Sequence, residues 1–375
     1  MNFERIFVDA HLQRHPLVER ARELFSPEKI EIVQGTPLAN FEGELSPLQF
    51  DRSKRLLHIT EFKGSFFKRC PGAKPGLTCC NYFVLNLGLQ CNMNCSYCYL
   101  QSFINTPVTK VYTNIDRAFD ELREIAKSAG DQALRVGTGE VIDSLSLDPL
   151  TLHSVELIQF FKNYPKWRVE FKTKSDLVDQ FINVEHAGNV IVSWSLNPQN
   201  IISAEEHGTA FLEARLSAAR RCKDKGFQIA FHLDPVIWHP GWQASYKSLV
   251  DAITAQFSPE ELPYISLGTL RFQPEQRHMM RERFGMSHVL RGEMFPGRDG
   301  KLRYDQALRE EMFKKIMSWF SDHSKEWKIF LCMESPESWL SAVGSGPKHK
   351  NGLGELFDHN LVRKVEAALD PVRVE

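Results

Sequence analysis

The chain has no apolar run near the ~18 residues needed to span a bilayer. Its opening residues, Met1-Asn2-Phe3-Glu4-Arg5, lack the basic start and apolar core of a secretory leader. The expectation is a cytoplasmic protein with no membrane partner. The chain also lacks an excess of either charge: 46 Lys and Arg face 47 Asp and Glu, for a net charge of −1. Overall electrostatics therefore neither predict nor exclude nucleic acid, and any such surface must be a local patch. Internal repeats and low-complexity segments are absent. With 375 residues, 42% of them hydrophobic, the chain can bury an ordinary core and carry extensions around it.

Cysteine is unevenly spread. Cys70, Cys79, Cys80, Cys91, Cys95 and Cys98 fall close together, while Cys222 and Cys332 stand alone. In a reducing compartment such clustering favours metal or redox chemistry over a disulfide framework.

From Tyr82 onward, strand-like and helix-like segments alternate. Strands are expected at 82–87, 133–139, 167–174, 189–197, 228–237, 264–272 and 327–333. Helices are expected at 114–129, 150–163, 211–225, 241–257 and 304–321, with a short one at 177–182. This alternation predicts a parallel sheet, with right-handed connections that curl it into a barrel. The organisation expected is an N-terminal extension over 1–80, the barrel over 81–335 and a C-terminal helical tail over 336–375. Functional residues of such a barrel lie at the C-terminal strand ends.

The first strand runs into Cys91-Asn92-Met93-Asn94-Cys95-Ser96-Tyr97-Cys98. Three thiols at this spacing, on a loop at a strand's C-terminal end, suit three corners of a [4Fe–4S] cubane. A cluster held by protein alone uses four thiolates; three leave one iron open, as a catalytic metal keeps a free position. In radical S-adenosylmethionine (SAM) enzymes that iron takes the amino and carboxylate groups of SAM. A zinc site with a fourth ligand from Cys79, Cys80 or a histidine is the bland alternative, giving a non-catalytic, zinc-stabilised nucleic-acid-binding module.

The run Cys-x3-Cys-x-Tyr-Cys-Tyr-Leu-Gln, continuing to Val111-Tyr112-Thr113-Asn114-Ile115-Asp116, resembles the spore photoproduct lyase family of radical SAM DNA-repair enzymes. The likeness extends through Phe171-Lys172-Thr173-Lys174, Ser195-Leu196-Asn197, Arg215 to Arg220 and Pro235 to Trp242. It implies a partial (β/α)6 barrel of the TIM type, a [4Fe–4S] cluster with SAM, and a flavodoxin or ferredoxin as reductant. It also implies hydrogen abstraction from a thymine dimer in DNA. Gly137, Thr138, Gly139 and Glu140 resemble the Gly-Gly-Glu segment that holds SAM's ammonium group. Lys174 and Ser195, ending the third and fourth strands, are expected to contact SAM. Asp143 either bonds the ribose or caps the following helix. Tyr97 and Tyr99 match residues implicated in hydrogen relay.

One feature of the family is missing. Its members carry a hydrogen-donating cysteine near the end of the second strand, and here no cysteine occurs between Cys98 and Cys222. Cys332, closing the last strand, is the candidate replacement. The same gap favours a second reading, in which the radical chemistry acts on another nucleic acid, a small molecule or a protein side chain. The insertion at about 273–303 is expected to form a basic hairpin. Counted from 271 to 303, eight Lys and Arg face four acids, and Met294 and Phe295 are candidate wedges for DNA.

Overall fold

The computed structural model describes residues 1–35, 46–104, 108–130, 132–285, 287–346 and 353–369. Parts of the C-terminal tail, 347–352 and 370–375, lie outside the described residues. Its central sheet contains seven parallel strands in sequence order: Tyr82–Leu85, Leu134–Gly137, Trp167–Thr173, Val190–Ser195, Gln228–Val236, Ile265–Thr269 and Ile329–Leu331. The strands at the two ends do not pair with each other, so the barrel is open. Outside the first strand, Phe67–Arg69 adds an antiparallel edge.

Strand composition explains the architecture. Val190-Ile-Val-Ser-Trp-Ser195 is buried along its whole length, as expected where helices cover one face and the barrel interior the other. The helix Ile115–Ala129 repeats apolar residues at helical spacing and buries Ile115, Ala118, Phe119, Leu122 and Ile125. Gly130, with φ of +58°, ends it. Helices at His153–Phe161, Leu212–Asp224, Trp242–Thr254 and Gln306–His323 fall where the periodicity places them. The helix expected at 177–182 does not form. That short crossover is a set of turns closed by Ile182 N–H to Val178 O (3.0 Å) and Val184 N–H to Phe181 O (2.8 Å), which bury Val178 and Phe181 without a helix.

The N-terminal residues form more of a fold than an extension suggests. Arg5–Asp9, Ile30–Val33 and Leu56–Thr60 pair in parallel, and Thr109–Tyr112 and Gly88–Leu89 from beyond residue 81 complete a second, five-stranded sheet. A capping box between Ser46 and Gln49 starts the helix Pro47–Ser53. This helix turns Phe50 inward and ends just before Lys54.

The turn-rich stretch 70–81 spans the barrel's open edge. Cys70 N–H bonds Tyr82 O (2.9 Å) on the first strand, and Thr78 N–H bonds Glu334 O (2.9 Å) just past the seventh. Among the described residues, no helix is long and apolar enough to cross a membrane.

Candidate active site

The cysteine loop is fixed by three distant parts of the chain. Lys54, buried at 7% exposure, donates its ammonium to Cys91 O (2.8 Å), Met93 O (2.6 Å) and Gln90 Oε1 (3.4 Å). Asn94–Cys95 pairs antiparallel with Glu206–His207, and Ser96 bonds Glu205 through both backbone and hydroxyl. Gln276 Nε2 donates to Tyr97 O (3.0 Å) and Cys98 O (3.1 Å), while Arg283 bonds Asn94. A loop that lacks regular structure must find partners for its backbone polar groups, and these side chains provide them.

Cys91, Cys95 and Cys98 all line one cavity of about 380 Å³. Burial pushes the Cys91 thiol up to about 11 and Cys95 higher still, so cluster binding has to displace their protons. Among the described residues, no group of three or more His, Cys, Asp or Glu is set to hold a single metal ion. A trio of thiols on one loop, facing one cavity, fits three corners of a [4Fe–4S] cluster.

The same cavity receives Gly139, Glu140, Asp143, Lys174 and Ser195. The glycine turn is dictated by close approach: a Cβ on Gly137 would lie 1.5 Å from Tyr82 Oη, and one on Gly139 2.6 Å from Lys172 O. Gly137 and Thr138 do not reach the cavity. Gly137 is covered by Tyr82, and Thr138 turns its hydroxyl to Ser144 Oγ (2.8 Å). Asp143 works as a staple. Its carboxylate accepts from Leu145 N–H, Ser146 N–H, Thr173 Oγ1 and Lys174 N–H, tying the second-strand loop to the end of the third strand.

The two tyrosines point in different directions. Tyr99 donates its hydroxyl to Glu140 O (2.9 Å) and lies near Glu140 Oε1 (3.4 Å). Tyr97 donates to the Glu206 carboxylate, which also accepts from Asn197 (2.9 Å) and pairs with Arg215 (2.6 Å). Lys174 Nζ sits 5.8 Å from the Tyr97 ring centroid. Burial works against its charge, but Glu206 beside it holds the Lys174 pKa above the usual lysine value.

Cys332 lines the same cavity, with its backbone N–H on Leu267 O (2.7 Å) and Arg271 nearby. Burial pushes its thiol up to about 12. Cys80, a candidate metal ligand from the sequence, and Cys70 line this wall too; sequence reasoning missed Arg135, His232, and the Asp234–Arg271 pair joined at 2.8 and 3.0 Å. Side-chain alternation in strands carries a signal for part of it. Stepping back by twos from Lys174 reaches Lys172 and Glu170, and from Ser195 it reaches Ser193. Glu170 and Ser193 do meet inside the barrel, with His232 and Tyr264 also bonding Glu170.

The hairpin is present. Phe295–Pro296 pairs with Leu302–Arg303, closed by Gly297 N–H to Lys301 O (2.7 Å), and Arg271–Phe272 extends it to three strands. Phe295 is 50% exposed, whereas Met294 packs against the core. Lys301 reaches the cavity itself.

An open parallel barrel with a three-cysteine loop and a cavity at its strand ends defines a radical SAM enzyme. The family model for spore photoproduct lyase matches residues 2–324, and the chain belongs to that family. A spore photoproduct lyase of Geobacillus sp. (strain Y412MC61) is 24% identical over 285 residues, covering 74% of this chain and 82% of the relative. One of Bacillus subtilis (strain 168) is 24% identical over 254 residues, covering 67% and 72%. A solved variant of spore photoproduct lyase with bound AdoMet and dinucleoside spore photoproduct superposes with a TM-score of 0.75 at 22% identity, covering 88% of this chain and 99% of that one. Spore photoproduct lyase complexed with dinucleoside spore photoproduct gives a TM-score of 0.76 at 21% identity, covering 88% and 98%. These structures confirm the partial barrel.

Proposed function

We propose that this enzyme repairs a thymine dimer lesion in DNA, working in the cytoplasm with a flavodoxin or ferredoxin as reductant. The observation that carries the reading is a single cavity. It gathers the cysteine loop, Glu140, Lys174, Ser195 and Cys332 around one space. When bound, the cluster and SAM supply a one-electron cleavage that yields a hydrogen-abstracting carbon radical.

The chain's own residues do the rest. Glu140, steadied by Tyr99, offers a carboxylate to SAM's ammonium group, and Lys174 and Ser195 take its carboxylate and ribose. Asp143 holds the two strand ends in register and thereby places Lys174. Cys332, kept as a thiol by burial, gives its S–H hydrogen to the carbon radical left when the lesion fragments. Its sulfur regains hydrogen through Tyr97 and Tyr99. The tyrosyl radical so formed recovers its hydrogen atom from the methyl group of the deoxyadenosine product, so that the hydrogen first taken from the lesion is returned. Duplex DNA is received over the basic hairpin, with exposed Phe295 as the wedge.

Anaerobic reconstitution should give a brown, iron- and sulfide-containing protein that forms 5′-deoxyadenosine from SAM and releases thymine from a lesion-bearing oligonucleotide. Zinc without iron would overturn the enzyme assignment. A second reading keeps the radical chemistry but changes the substrate, and the absence of any cysteine between Cys98 and Cys222 favours it. Brisk SAM cleavage with no thymine released would decide for it.

A further inference from the structure

With Lys174 given to SAM, the cavity keeps two more lysines, Lys172 and Lys301. Lys172 lies on the third barrel strand, two residues before Lys174. Lys301 closes the hairpin turn, its carbonyl accepting from Gly297 N–H (2.7 Å). Both are partly exposed, and neither ammonium is sealed off from the cavity. Among the described residues, neither Nζ has a hydrogen-bond or ion-pair partner. The carboxylates around them are committed elsewhere. Asp234 is held by Arg271 through both oxygens, at 2.8 and 3.0 Å, and Asp299 pairs with Arg303. Asp143 is taken up by its staple, and Glu140 faces the SAM ammonium in the reading above. The two lysines converge on one region: the charge of Asp234 is felt by both, and Lys172 also acts on Cys332. Burial and then the Arg271 charge hold the Lys301 pKa below the usual lysine value, as befits a cation among cations. Covering two such groups with substrate and no anion is costly.

We infer that Lys172 and Lys301 form an oxyanion subsite of the cavity, which takes the phosphodiester bridging the two bases of the lesion. The inference rests on the lesion-repair reading for the molecule that carries the phosphate, whereas the charge of the ligand follows from the side chains. An ammonium is a compact point charge that suits a phosphate without imposing one orientation. Lys301 belongs to the hairpin and Lys172 to a barrel strand, so a phosphate held by both joins the DNA-facing element to the region of Cys332.

Calorimetry on the anaerobic holoenzyme loaded with SAM tests this. The probes are the thymine lesion as a dinucleoside without phosphate, the same lesion with its bridging phosphate, and inorganic phosphate. Wild-type protein should bind the bridged lesion roughly tenfold or more tighter than the unbridged one, and the preference should shrink as salt is raised. Lys172→Met and Lys301→Met should each remove most of that preference, and Lys172→Arg should retain it. Equal wild-type affinity for the two lesions overturns the subsite. So does a preference that survives both substitutions at wild-type iron content and unfolding temperature. A matching loss of SAM affinity in Lys172→Met also overturns it, because the lysine then serves the cosubstrate. If wild-type protein binds neither lesion but binds phosphate through both lysines, the lesion-repair reading fails and the subsite stands. If it binds none of the probes, the subsite falls as well.

Discussion

The ammonium of Lys54 lies 2.8 Å from the carbonyl oxygen of Cys91. A cation from the C-terminal end of the helix Pro47–Ser53 thus sits against the backbone of the first cluster ligand. It holds the turn in shape, and it places positive charge where a reduced cluster gains an electron. Replacing Lys54 with Met should lower iron retention and move the cluster's reduction potential to more negative values, with Lys54→Arg restoring part of both. Spectroelectrochemical titration of the reconstituted protein reads the shift. An unchanged potential at full iron content would show that Lys54 is only a structural clamp.

A hydrogen-atom donor must keep its hydrogen. Burial raises the Cys332 pKa to about 12, which disfavours the thiolate, so the group stays S–H throughout the physiological range. Alkylation follows the thiolate fraction. Its rate at Cys332 should therefore still be climbing at pH 10, where an ordinary exposed thiol has levelled off; a plateau below pH 9 would contradict the burial effect. Cys332→Ala should leave SAM cleavage running while thymine release falls and side products appear. Unchanged product distribution removes Cys332 from the mechanism.

Phe295 is exposed at the hairpin and does not line the cavity. Phe295→Ala should then raise KM for a lesion in duplex DNA severalfold while leaving a free dinucleotide lesion unaffected, because only the duplex has to be opened. Equal effects on both substrates would place Phe295 outside any wedge role.

Glu206 and Arg215 form an ion pair whose side chains are both fully buried. Removing one partner strands the other charge, a change that costs about 3–5 kcal/mol. Glu206→Ala should accordingly unfold at clearly lower denaturant concentration than the parent chain when iron content is matched. A coincident midpoint would mean that Arg215 finds another partner.

The barrel and the cluster loop were legible because each is written in contiguous residues. Strand and helix periods lie within single segments, and the three thiols fall on one loop with Tyr97 and Tyr99. The family resemblance supplied Glu140, Lys174 and Ser195, each at a strand end. What could not be read locally was contact across the sheet. The spacing of Gly137 and Thr138 looked equal to that of Gly139, but pleating turns them to Tyr82 and Ser144. Lys54 sat in a basic run that resembles a solvated surface, and only the capped helix before it sends that one lysine inward. Arg135 looked like an ordinary strand residue, since nothing in its neighbourhood announces that Tyr82 and Tyr264 will enclose it. The crossover at 177–182 carried helical spacing over too few residues to pay for nucleation.

The anchors of the cysteine loop come from residues 54, 205–207, 276 and 283. A zinc knuckle can fill as soon as its own short stretch is made. Here the three ligands take their places only after about three-quarters of the chain has been synthesised and packed. Iron delivery is thereby deferred to a late stage of maturation, and a truncated or misfolded product has no competent nest in which to build a cubane.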